Sequence, residues 1–203
     1  MREIILFCED SFHEKFVGEL VRRFGADYEV DINIRILSAQ GGLPKMQNEF
    51  KRFLADFNKQ SERTPDAVIV VVDANCKGHT SRKKEMDSQL RDYPELQNCV
   101  SYAIPDPHIE RWMLVDSQAF KTVFGTGCTL PRIKCAKDEY KGLLRKAIRD
   151  AGIEPPLGGL EYAEDIVNQM DLVRVETEEP SLRLFLKELK AKFNSWKAEA
   201  ARR

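Results

Sequence analysis

The sequence predicts an α/β chain: a mostly parallel four-stranded sheet flanked by helices, followed by a C-terminal extension that is all helix. Three observations lead there. Short apolar, β-branched runs alternate with amphipathic helical patterns as far as Ile104; the third run is apolar throughout, as a strand covered on both faces must be; and beyond Ile104 only helical periodicity recurs.

Ile4 to Cys8 is an apolar run that ends in acid, and Phe12, Phe16, Val17, Leu20, Val21 and Phe24 then repeat at helical spacing. Ser11 with Glu14 fits a capping box, and Gly25 is expected to close this helix. Val30, Ile32, Ile34 and Ile36 alternate with polar residues, which suits a strand near a sheet edge. Gly41-Gly42-Leu43-Pro44 breaks the chain before a second amphipathic helix marked by Met46, Phe50, Phe53, Leu54 and Phe57. Ala67 to Val72 is the central strand, Ser81 to Leu90 a charged helix, and Val100 to Ile104 the fourth strand. Helices are then expected at Ile109–Val115, Ser117–Phe124, Lys137–Ala151, Leu160–Gln169 and Pro180–Arg202. The α/β domain is therefore residues 1–124, with residues 125–203 packed on it, since helices this short depend on tertiary contacts.

The chain has 203 residues, 42% apolar and 32% charged, with a formal net charge of −1. No apolar run approaches the roughly 20 residues of a membrane span, and no signal peptide is visible, so a cytoplasmic location is expected. Five cysteines at unrelated spacings suit buried free thiols, and Cys76 with His79 lacks the second pair that a zinc site needs. The charge balance lacks the basic footprint of a stand-alone DNA binder. Local basic groups remain at Arg82-Lys83-Lys84, at Arg132, Lys134 and Lys137, and at Lys141, Arg145, Lys146 and Arg149.

In an open parallel sheet, ligands gather at the carboxyl ends of the strands. That rule selects Glu9 after the first strand, Asp73 and Asn75 after the third, and Asp106 and His108 after the fourth. Skipping Ala74 would let Asp73 and Asn75 point the same way. Glu110 would sit in the first turn of a helix aimed at the same rim, where a carboxylate also gains from the helix dipole. Carboxylate oxygens suit Mg²⁺ or Mn²⁺, and a metal there would orient a phosphate and activate water. His108 is a candidate proton shuttle, and Lys77 and Arg111 are candidates for stabilising developing charge. No Gly-rich phosphate loop follows the first strand, which argues against a nucleotide-binding doubly wound domain.

Cys8-Glu9-Asp10-Ser11-Phe12-His13-Glu14-Lys15-Phe16, Val70-Val71-Val72-Asp73-Ala74-Asn75 and Ile104-Pro105-Asp106-Pro107-His108-Ile109-Glu110-Arg111-Trp112-Met113-Leu114 together resemble the Toprim-like DUF4276 group. That group is related to the nuclease domain of overcoming-lysogenization-defect (OLD) proteins and to RloB-like proteins. The resemblance spans residues 3 to 120. It implies a Toprim-like (Rossmann-like) fold and a Mg²⁺-dependent nuclease cutting DNA or RNA in prokaryotic defence or repair, beside a partner ATPase. Glu9 would be the general acid or base and a metal ligand, and Asp73 with Asn75 the Mg²⁺ pair. Glu110, Glu14 and Asp106 complete the expected ligand set, and His108 joins Glu9, Asp73 and Glu110 as catalytic. Self-association is compatible with this scheme. Three residues depart from the pattern: Asp10 replaces a Gly, the acid expected at position 13 is a His with Glu14 one place later, and Asn75 replaces an Asp. Losing a negative charge weakens metal affinity, so the alternative is a weak or inactive Toprim-fold subunit that binds an ATPase or nucleic acid.

Overall fold

A computed structural model describes residues 1–38, 41–59, 64–130 and 138–202. Its strands are β1 (Arg2–Cys8), β2 (Ile32–Ser38), β3 (Ala67–Val71) and β4 (Val100–Ala103), all parallel in the order β2-β1-β3-β4. The two central strands are the two with continuous apolar runs, as burial on both faces requires. β2, with its polar alternation, lies at one edge.

Between the strands run α1 (Ser11–Tyr28), α2 (Gly42–Lys59), α3 (His79–Asp87) and the short α4 (Pro94–Gln97). After β4 come α5 (Ile109–Leu114), α6 (Ser117–Phe124), α7 (Glu139–Asp150), α8 (Ala163–Gln169), α9 (Leu172–Glu178) and α10 (Pro180–Ala200). Alternate residues of β3 feed two cores. Ala67, Ile69 and Val71 face α1, α5 and the C-terminal helices, whereas Val68, Val70 and Val72 face α2 and Met86 of α3. The first core runs without a break from α1 through Trp112 to Phe185, Phe193 and Trp196 of α10, so the C-terminal helices share the core of the sheet domain.

Two local expectations at α1 change. The N-cap is Asp10 rather than Ser11: its carboxylate accepts from the backbone N–H groups of Phe12 and His13, and an Asp outranks a Ser that is already helical. Gly25 does not end the helix, which closes on Glu29 in a left-handed conformation. The glycine allows close contact, since a Cβ there would stand 2.9 Å from Ile32 Cδ1 and 3.3 Å from the Val30 carbonyl and would make its neighbours shift. Short α4 and α9 were not expected. The cysteines also differ from five free thiols: Cys8 and Cys99 are free and buried, Cys128 is free and half-buried, but exposed Cys76 is disulfide-bonded. Cys135 lies outside the described residues. Among the described residues, no helix is long and apolar enough to cross a membrane.

The start of α10 anchors the C-terminal half behind the sheet rim. Glu179 and Arg111 form a buried ion pair at 2.6 Å, and the Ser181 hydroxyl donates to Glu179 at 2.7 Å. The same hydroxyl accepts from Trp112 Nε1 at 2.8 Å and from the Asp106 backbone N–H at 3.3 Å. Trp112 then stacks on Phe185 with ring centroids 6.1 Å apart. Breaking a buried pair by removing one charge costs at most about 3–5 kcal/mol, and Arg111 keeps its contact with the Tyr140 hydroxyl at 3.4 Å. Glu179→Gln should therefore lower the unfolding free energy by about 1–3 kcal/mol, read from urea denaturation.

Candidate functional site

The site is centred on Asp73, two residues beyond β3 and only 8% exposed. Three hydrogen bonds from two chain segments hold its carboxylate. Oδ1 accepts from His13 Nε2 at 2.9 Å and from the Ile109 backbone N–H at 2.9 Å, and Oδ2 accepts from His108 Nδ1 at 3.0 Å. The Asp73 backbone N–H in turn donates to Glu9 Oε2 at 3.4 Å, so the acids after β1 and β3 do meet at one rim. From below, the buried Arg82 guanidinium donates to the carbonyls of Asp73 and Ala74 at 3.0 and 3.5 Å and pairs with Glu85 at 2.7 Å.

His13 is 1% exposed and lies between two acids: Nε2 faces Asp73, and Nδ1 faces Asp10 Oδ1 at 2.8 Å. Only the imidazolium can donate from both ring nitrogens. Burial opposes that charge, but Asp73 and Asp10 outweigh it and hold His13 protonated well above the ordinary histidine range. The partners respond accordingly. Burial works against Asp73 and Asp10, yet the histidines keep both carboxyls low, Asp10 at about 2. The hydrogen bond to Asp73 raises His108 despite partial burial.

Glu9 and Glu110 move the other way. Burial raises both, the ionised Asp73 adds to the rise, and His13 offsets only part of it. Neither carboxylate forms an ion pair with Lys or Arg among the described residues. The rim thus gathers four acidic side chains, Glu9, Asp10, Asp73 and Glu110, around two histidines, His13 and His108.

The remaining candidates are placed differently. Asn75 is exposed in a left-handed conformation (φ 47°), its backbone N–H donating to the Pro107 carbonyl at 3.1 Å. The chain has left the extended geometry that would have aligned Asn75 with Asp73, and no hydrogen bond ties its side chain to the cluster. Asp106 accepts from the His79 backbone N–H at 3.1 Å, at the start of α3. Glu14 is half-buried on α1 and makes no hydrogen bond to Asp73 or Glu9 among the described residues. Arg111 turns to Glu179, away from the rim, and Lys77 lies 3.5 Å from Glu85. Arg82 is buried and so does not belong to a surface basic patch with Lys83 and Lys84. Arg132, Lys134 and Lys137 lie outside the described residues. On α7, Lys141, Arg145, Lys146 and Arg149 are exposed, the last two pairing with Asp150 and Glu154.

As the side chains stand, no three His, Cys, Asp or Glu groups among the described residues make a ready-formed metal-binding group. His13, His108 and the Ile109 backbone N–H already bond the two Asp73 oxygens. The donor chemistry nonetheless fits a hard divalent cation, because Glu9, Asp73 and Glu110 are all carboxylate oxygen donors. Among known proteins, no family model, no curated sequence and no solved structure matches the chain.

His13 gives a stability prediction. Its folded-state proton affinity is above the unfolded value, so the stability it contributes is complete below about pH 6.5 and is lost as pH rises through the folded value. In EDTA, the urea midpoint of the parent should exceed that of His13→Gln clearly at pH 6, and the gap should shrink steadily towards pH 10.

Proposed function

We propose that the chain is a metal-dependent phosphodiesterase that cleaves nucleic acid at the rim centred on Asp73. One observation carries the reading: half-buried Glu9 and buried Glu110 converge on an ionised Asp73, which places three carboxyls at one rim, and neither Glu is paired with Lys or Arg among the described residues. Carboxyls whose proton affinities burial and a charged neighbour perturb in this way mark a candidate functional site. Glu9, Asp73 and Glu110 would hold a divalent cation, which when bound supplies charge against a phosphoryl oxygen and acidifies water.

The chain's own groups divide the remaining work. Asp73 fixes the orientation of His108, whose ring is partly exposed and carries a proton that can pass to a leaving oxygen. His13, charged and enclosed, keeps Asp73 ionised beside the two other acids. The resemblance to Toprim-like proteins adds a partner ATPase and a role in prokaryotic defence or repair to this proposal.

A second reading, a Toprim-like subunit that binds an ATPase or nucleic acid without cutting, is favoured by one feature. Asp73 already accepts three hydrogen bonds, and Asn75 stands apart from it. Cleavage of labelled DNA and RNA in Mg²⁺ or Mn²⁺ separates the two. Asp73→Ala, Glu9→Gln and Glu110→Gln should each lose about 100-fold or more. Equal rates in all four proteins would defeat the phosphodiesterase reading, and an intact fold with no Mg²⁺ heat in calorimetry would favour the subunit.

A further inference from the structure

The two edges of the sheet differ. At β4, α10 crosses the edge: Glu188 accepts from the Tyr102 backbone N–H at 3.2 Å, and Lys192 donates to the Cys99 carbonyl at 3.3 Å. At β2 nothing comparable occurs. The Arg2 backbone N–H donates to the Asp31 carbonyl at 2.7 Å, and the parallel register with β1 then turns the main-chain groups of Asn33 and Arg35 inward and those of Ile32, Ile34 and Ile36 outward. Among the described residues, no hydrogen bond reaches those outward groups. β2 is seven residues long, and native proteins usually blunt an open edge of that length with repelling charge, proline or cover.

The side chains of β2 say which strand fits. Laid antiparallel against itself about a two-fold axis at Asn33, β2 sets Asp31 opposite the second copy's Arg35 and Ile32 opposite its Ile34, each twice by symmetry. Ile32 and Ile34 then form a hydrogen-bonded pair, as their outward groups require, and Asp31 and Arg35 a non-hydrogen-bonded pair whose side chains approach closely. Both charged residues are exposed, and neither forms an ion pair among the described residues. Charges placed to keep copies apart would set like against like, as an axis at Asp31 or at Arg35 does; here the neutral Asn33 takes the axis.

A recess is the second observation. About 410 Å³ lies open beside the start of β2, walled by Arg22, Gly25, Ala26, Glu29 and Val30. In the same register the second copy's Ile36 falls opposite Val30, on the face of the sheet that carries α1, and half-exposed Ile36 is an apolar side chain suited to fill that recess.

We infer that two copies of the chain pair edge to edge through β2, antiparallel and centred on Asn33, to form one continuous sheet. The dimer does not depend on the phosphodiesterase reading. Because the paired strands run oppositely, it sends the two Asp73 rims to opposite ends of the joined sheet.

Sedimentation velocity on the full chain, from micromolar to millimolar concentration, tests this, with circular dichroism checking that each variant is folded. The parent should dimerise. Arg35→Glu and Asp31→Lys each set like charges opposite one another and should weaken the dimer at least about tenfold. The double variant restores opposite signs and should recover most of the parent affinity, a rescue that a dimer formed elsewhere would not show. Glu9→Gln, at the rim, should leave association unchanged. Non-hydrogen-bonded partners stand about 4.5 Å apart at Cα, within disulfide range. Asn33→Cys should therefore cross-link to itself with diamide as oxidant, far more than the parent or Lys45→Cys on exposed α2 does. A monomer at millimolar concentration, a dimer indifferent to both single reversals, losses that the double variant does not recover, or cross-linking no greater than that of Lys45→Cys would each overturn the assignment.

Discussion

A buried aspartate is held ionised at the end of the central strand, and the arrangement of the rim follows from that constraint. Removing a carboxylate from water is costly unless donors replace the water. Asp73 receives its donors from α1 (His13), from the loop after β4 (His108) and from the first turn of α5 (Ile109). Each bond fixes a piece of chain distant in sequence, so the charge at Asp73 also sets where Glu9 and Glu110 stand. Asp10 serves the same centre twice, capping α1 and steadying His13 from its far nitrogen.

The rim is supported from behind by elements that carry no reactive group. Arg82 ties α3 to two successive carbonyls just beyond β3, and the Arg111–Glu179–Ser181–Trp112 network joins α5 to the start of α10. A single core spans α1, β1, β3, α5 and α10, so the C-terminal helices are part of the scaffold that keeps α5 in register with the sheet.

Much of this was legible in the sequence. Apolar continuity in Ile4–Cys8 and Ala67–Val72 identified the central strands, alternation in Val30–Ile36 identified an edge, and the strand ends pointed to Glu9, Asp73, His108 and Glu110. What escaped reading depends on three-dimensional company. His13 reads in sequence only as a departure from the pattern of the resemblance, because nothing in its own segment reveals that Asp73 will face its second nitrogen. The sign of a helical His three places after an N-capping Asp is clear only in hindsight. Arg82 read as part of a basic run, since burial of one Arg among three neighbouring cations is decided by the carbonyls it meets. Asn75 was misjudged because the expectation extended β3 geometry two residues too far. Cys76 could not be separated from the free thiols, as spacing alone does not encode pairing.

The hydrogen bond from the Tyr102 backbone to Glu188, with Lys192 on the neighbouring Cys99 carbonyl, gives β4 a boundary role. An unoccupied strand edge is a template on which a foreign strand can pair. Here α10 lays a carboxylate and an ammonium across part of that ladder, so the polypeptide's own tail discourages lateral recruitment of other chains.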